Sequence, residues 1–323
     1  MSARRAAPAW TEVVRRDGRV RRPPAVVDVL WAFHHLRDLR QVDWSDASLD
    51  YRLIEILSRA FDGLYRRYFR MEVRGWENIP GSAALLVGNH SGFGVAELLM
   101  LLVAWYRRFR TTRRPCCLAH QWLYTTPFLR VVVPKIGGIR ASWRNARQAL
   151  AAGHAVTVFP GGEHESTRPF AERYRVELHG RQGFVRLAFA NSAPIVPFVT
   201  IGSHATMILP PGMHFLAAAT GARRYLGLEA VPLPLQALVW LLAGMAFGQN
   251  WISGWLFLLL LLATPPLYPS KITTVYGRPI TPNELLAQAG PGDDPIDAGY
   301  RHVERIMQHM MDDLAAERRW LFS

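Results

Sequence analysis

The chain has 323 residues, half of them apolar, and a formal charge of +13. That length supports one large domain or two modest ones, and that charge calls for a polyanionic partner, either nucleic acid or an anionic bilayer. Zinc-finger spacing, RNA-binding signatures and basic recognition helices are absent while long apolar stretches are present, which sets nucleic acid aside and favours the membrane surface.

Residues 1–24 hold seven arginines, from Arg4 to Arg22, set among Pro and Ala. They read as a disordered basic arm without the apolar core of a signal peptide. Residues 25–71 read as amphipathic helices, Val26–Leu39 and Leu49–Phe69. In the second, Leu49, Leu53, Ile56, Leu57, Ala60, Phe61, Leu64 and Tyr68 share one face, and Arg52, Arg59, Arg66 and Arg70 fall largely elsewhere. Such a helix lies in a membrane interface or packs its apolar face on the core, and the pattern leaves both open.

An apolar run, Ala83–Val87, then leads through Gly88 into Asn89-His90-Ser91-Gly92, and a second run follows from Leu98. This is a strand, a Gly-rich turn carrying a histidine, and a helix over Glu97–Tyr106. A lone turn histidine is ordinarily bonded to local backbone. Here Glu97, seven residues on, has the reach to orient its ring. Cys116 and Cys117 are neighbours, a spacing that strains a disulfide, so they read as reduced thiols of a cytosolic compartment. Cys117–Ala119 is strand-like. Gly137-Gly138 is followed by Arg140, a candidate for an anionic group. A helix is predicted over Ser142–Ala152.

Ala155–Phe159 repeats the earlier logic: a strand enters a tight turn, Pro160-Gly161-Gly162, and the carboxylates Glu163 and Glu165 follow. Such a turn exposes backbone N–H groups and brings the chain close to a ligand. Gly183–Ala190 is helical in pattern, Ile195–Thr200 and Lys271–Tyr276 are strands, and Tyr300–Arg319 is a closing helix. Strand–helix alternation predicts an α/β fold with a mostly parallel central sheet flanked by helices, built from residues 72–323.

Within that domain, residues 232–266 carry no charge and form two apolar blocks split by Gly248-Gln249-Asn250. Together they are long enough for one bilayer crossing, which takes about 20 residues. A single crossing would place Lys271–Tyr276 on the far side from the earlier strands. Arg223 and Arg224 before the blocks, with Lys271 and Arg278 after them, place both ends at the cytoplasmic face. The segment is therefore predicted to be a re-entrant or interfacial helical hairpin, with a buried pair of core helices as the alternative.

Four of these blocks, in this order, resemble the membrane glycerolipid acyltransferase family, whose best-known members acylate 1-acylglycerol-3-phosphate. The family pattern is Asn-His-x4-Asp, a Gly-rich block with an Arg, Phe-Pro-Glu-Gly-Thr, and a Val-Pro strand. Asn89-His90, Gly137–Ser142, Phe159–Glu165 and Pro194–Pro197 stand in those places. Two departures are visible. Position 95 is Val95, and the nearest acid is Glu97. The third block reads Pro-Gly-Gly-Glu-His-Glu, similar to the diacylglycerol acyltransferase branch.

The resemblance implies transfer of a fatty acyl group from acyl-CoA or acyl carrier protein to the hydroxyl of a lysophospholipid or other glycerolipid. A histidine with a pKa near neutrality suits removal of the hydroxyl proton, and a carboxylate on its other nitrogen fixes the tautomer. His90 is then the base and Glu97 its orienter. Asn89, Arg140, Pro160, Gly161, Gly162, Glu163 and Glu165 are expected to bind substrate. Neither a cofactor nor a metal is expected, and no Gly-x-Ser-x-Gly elbow is present. The expected partners are a membrane lipid, acyl-CoA and the anionic membrane surface, at the cytoplasmic face of a bacterial inner membrane. The alternative is a catalytically inactive lipid-binding protein of the same fold, which Val95 keeps open.

Overall fold

A computed structural model describes residues 48–92, 95–125, 128–212 and 267–318, with residues 215, 219, 235–237 and 239 between the last two spans. Seven strands form one sheet: β1 (Glu72–Arg74), β2 (Ala84–Gly88), β3 (Cys117–Ala119), β4 (Gly138–Arg140), β5 (Ala155–Val158), β6 (Ile195–Ile201) and β7 (Thr273–Tyr276). Their order is β1-β7-β6-β2-β5-β3-β4. Every neighbouring pair is parallel except β6 and β7, which run antiparallel with Ile201 opposite Thr273.

The central strands are buried on both faces, which is why β2 reads as an unbroken apolar run and not as an alternating one. Successive side chains still point to opposite faces. Leu85 and Val87 join the larger core with Val156, Ile195, Val199, Met307 and Met311. Ala84 and Leu86 join a second core with Trp105, Val196 and Phe198.

Helices flank the sheet and its turns, among them α1 (Tyr51–Ala60), α2 (Val95–Phe109), α3 (Trp143–Ala151), α4 (Gly162–Ser166), α5 (Gly183–Asn191) and α6 (Pro295–Glu317). Ser142 caps α3 by accepting the Asn145 N–H at 3.1 Å, and Asp50 caps α1 by accepting the N–H groups of Arg52 and Leu53. Helix α6 also holds the chain that comes after α4. Gln308 accepts the Val176 N–H at 2.8 Å, Glu304 that of Leu178 at 2.9 Å, and the Tyr300 hydroxyl that of Gly180 at 2.9 Å.

The predicted strands at Ala83–Val87, Cys117–Ala119, Ala155–Phe159, Ile195–Thr200 and Lys271–Tyr276 are all present, with ends shifted by up to two residues. Two more were not foreseen, β1 and β4. The helix expected over Leu49–Phe69 is present in two parts: α1 ends at Ala60, and a π-helical segment takes Leu64–Tyr68. Leu53 and Ile54 of α1 are buried, so this helix packs an apolar face on the protein. The basic arm, the helix expected over Val26–Leu39 and nearly all of the 232–266 segment lie outside the described residues. Among the described residues, no helix is long and apolar enough to cross a membrane.

Candidate active site

Strands β2 and β5 are neighbours and parallel, so the turns that succeed them meet at one edge of the sheet. Turns at the carboxyl ends of parallel strands are where α/β sheets place their ligands. His90 is on the first turn. Its Nδ1 lies 3.3 Å from Oε2 of Glu97, which is in the first turn of α2 and fully buried. The same oxygen accepts the Ser91 N–H at 3.0 Å. A carboxylate accepts, so this contact favours the tautomer of the neutral ring that is protonated at Nδ1, with the lone pair on Nε2. The His90 side chain is 16% exposed, enough to meet a small reacting group.

The ring is supported from below. It stacks on Phe159 at 4.4 Å, and Phe159 meets Phe198 edge-on at 5.6 Å. Phe198 in turn covers Gly88, where a Cβ would stand 2.1 Å from the ring. The column from Gly88 to His90 thus depends on a residue without a side chain at the end of β2.

The main chain of the turn is held as well. Glu165 projects from α4, fully buried, and its Oε2 accepts the His90 N–H at 2.8 Å. Oε1 accepts the Glu177 N–H at 3.3 Å and lies 3.3 Å from the Arg168 guanidinium. Burial pushes the Glu165 carboxyl up to about 7, against the pull of Arg168 and the two N–H donors. Its spacing from the two glycines follows from space. A Cβ on Gly161 would stand 2.3 Å from the Glu165 carboxylate, and Gly162 has a φ of +56°, which L side chains rarely adopt. Arg181 closes over this turn and donates to the Pro160 carbonyl at 3.2 Å.

Of the residues singled out in the sequence, His90, Glu97, Pro160, Gly161, Gly162 and Glu165 are brought together on two adjacent turns. Asn89 and Glu165, expected on the substrate, are turned inward. Asn89 is 1% exposed, and its amide accepts from Thr200 N at 2.8 Å and donates to Thr200 O at 3.1 Å. It joins the end of β2 to β6 and so positions the next residue, His90. Glu163 is part-exposed at the start of α4, where its carbonyl accepts the hydroxyls of Ser166 and Thr167. Arg140 ends β4, three strand spacings or about 14 Å from β2. It is exposed and donates to Gln121.

Sequence reasoning missed Phe159 as the floor of the site, Thr200 as the clamp for Asn89, and Arg168. Phe159 had a signal in its place between strand and Pro-Gly-Gly turn. Thr200 and Arg168 had none. Among the described residues, no three His, Cys, Asp or Glu side chains converge to hold a metal ion.

Residues 70–201 match the family model described as Acyltransferase. A protein of Mycobacterium tuberculosis described as uncharacterized is 39% identical over 140 residues, 43% of this chain and 39% of its own length. Human 2-acylglycerol O-acyltransferase 3 is 31% identical over 167 residues, 52% of this chain and 42% of its own. The chain therefore spans less than half the length of these relatives. The solved 1-acyl-sn-glycerophosphate acyltransferase of Thermotoga maritima superposes with a TM-score of 0.49 at 15% identity, over 92% of this chain and 95% of that one.

Proposed function

We propose, from the match of residues 70–201 to the family model described as Acyltransferase, that the chain is an O-acyltransferase acting on glycerolipids, with His90 as general base. The carrying observation is the hydrogen-bond pair of His90 Nδ1 and the buried Glu97 at 3.3 Å. It leaves Nε2 as the basic nitrogen. In the proposed reaction Nε2 takes the proton of the acceptor hydroxyl as its oxygen attacks the thioester carbonyl of acyl-CoA or acyl carrier protein. A C–O bond forms, the C–S bond breaks, and the imidazolium returns the proton to the leaving thiolate. Glu97 stabilises the imidazolium between those steps.

Glu97 makes this contact although it sits two residues beyond the family position, occupied here by Val95. Because α2 begins at Val95, Glu97 falls in the first helical turn, and a glutamate there is long enough to reach back to the ring. This supports a catalytic reading over the lipid-binding one that Val95 had kept open.

The acceptor is a membrane lipid, so the reaction belongs at a bilayer surface. A 2-acylglycerol is the acceptor to try first. The human relative is named for it, and Pro-Gly-Gly-x-x-Glu resembles the branch with neutral acceptors. Purified protein is mixed with acyl-CoA and, in turn, monoacylglycerol, diacylglycerol and lysophosphatidic acid, with free CoA and lipid products measured together. The proposal expects acceptor-dependent CoA release that His90→Ala abolishes. Equal release by wild type and His90→Ala would overturn it.

A further inference from the structure

Charge is spread unevenly along the sheet. Residues 115–162 build β3, β4, α3 and β5, and they hold four arginines, one lysine and no Asp or Glu. Residues 282–317, mostly α6, hold eight acids and two arginines. α6 packs on β6, where Met307 and Met311 share a core with Val199, and β6 lies across β2 from β4. A basic end at β4 thus stands apart from an acidic helix over β6. An anionic surface attracts the first and repels the second.

The basic end also exposes large apolar side chains. Trp143, the first residue of α3, is 46% exposed, and Phe128, in the connection that leaves β3, is 60% exposed. Arg144 and Arg147, three residues apart on one side of α3, are exposed as well. The corner that presents Trp143 is pinned. Ser142 caps α3, and Asn145 donates its side-chain amide to the Arg140 carbonyl at 2.9 Å. The strands from β2 to β4 are parallel. Trp143, just past the end of β4, therefore lies at the same carboxyl edge of the sheet as His90.

Aromatic rings beside guanidinium groups match a bilayer interface: the rings settle at the headgroup level, and the arginines meet lipid phosphates. We infer that Phe128, Trp143, Arg144 and Arg147 form a docking surface for an anionic bilayer, which brings the His90 edge of the sheet to the membrane. This rests on the reading of the chain as an acyltransferase of membrane lipids. Charge alone would also suit an acidic protein such as acyl carrier protein. Two exposed rings, at the edge where a lipid acceptor must arrive, favour the bilayer.

The test reads lipid contact at the corner itself, in the full chain. An environment-sensitive fluorophore is attached through Trp143→Cys or Phe128→Cys, so that one site serves if the other variant fails to fold. Leu286→Cys is the control: Leu286 is 47% exposed, in the helix that follows β7. Unsubstituted protein labelled in parallel corrects for Cys116 and Cys117. On vesicles of phosphatidylglycerol and phosphatidylcholine, labels at positions 143 and 128 should shift to the blue. Brominated acyl chains should quench them about three-fold more than the label at position 286. Arg144→Glu with Arg147→Glu should lower turnover of a vesicle-borne acceptor about 10-fold. Turnover of the same acceptor in detergent should stay within about two-fold of wild type. Equal quenching at the corner and the control overturns the proposal. So does quenching as strong on pure phosphatidylcholine as on anionic vesicles, or a shift produced by acyl carrier protein and not by vesicles. An active enzyme without lipid contact at the corner defeats this inference alone. Lipid contact in a protein that releases no CoA with any acceptor defeats the reading beneath it.

Discussion

The turns after β2 and β5 are built alike and used in opposite ways. Each succeeds a buried parallel strand, each contains glycine, and each leads into a helix bearing a carboxylate. The first presents its key side chain, His90, outward, 16% exposed. The second turns its key side chain, Glu165, inward until it is fully buried. The His90 ring therefore sits on one turn, and the carboxylate that fixes its main chain comes from the other. A histidine at a loop tip is free to swing, and the neighbouring turn removes that freedom.

The largest effect should come from the outward turn. His90→Ala is expected to lower kcat about 1,000-fold in an acyl-CoA release assay. Glu97→Gln comes next, with a loss of about 100-fold, because an amide presenting its NH₂ to Nδ1 favours the wrong tautomer. If Glu97→Gln were as fast as wild type, the ring would owe its orientation to the Phe159 stack alone. The inward turn should matter less to rate and more to the fold. Gly161→Ala drives a methyl into the Glu165 carboxylate and should cost about 1–3 kcal/mol in a denaturant titration, with kcat down about 10-fold.

Glu165 also gives a pH signature that His90 does not. Its folded pKa, about 7, lies above the ordinary 4.5, so the folded state holds a proton that the unfolded state has released. The resulting stability is complete below about pH 4.5 and is lost as pH rises through 7. Melting temperature should therefore fall between pH 5 and 8 in wild type and fall less in Glu165→Gln. A Glu165→Gln protein with the wild-type slope would show that another group carries it. The smallest effect belongs to Arg140, outside both turns. Arg140→Ala should raise KM for acyl-CoA about three-fold and leave kcat alone, as expected for a contact made equally in ground and transition states.

Much of the fold was legible because its central strands are buried on both faces. β2, β5 and β6 appear as apolar runs long enough to see. β1 and β4 have three residues each and are partly exposed, so they carry no run and no alternation. The antiparallel direction of β7 was hidden for another reason: it depends on where the chain re-enters the sheet, which local pattern does not encode. In the site, the spacing of His90 and Glu97 was readable because both lie on one strand–turn–helix unit. The inward course of Glu165 was not. It requires β2 beside β5 and an empty position at Gly161, facts of packing between segments 75 residues apart.

The antiparallel pairing of β6 with β7 has a consequence for how this chain tolerates change. β6 ends and β7 begins at the same edge of the sheet, with Ile201 opposite Thr273. The residues between them leave and return through two adjacent doorways, beside the edge that carries His90. Their length is uncoupled from strand register, since a hairpin connection closes whether it is short or long. A change in the length of that stretch therefore leaves β6 and β7 paired in register.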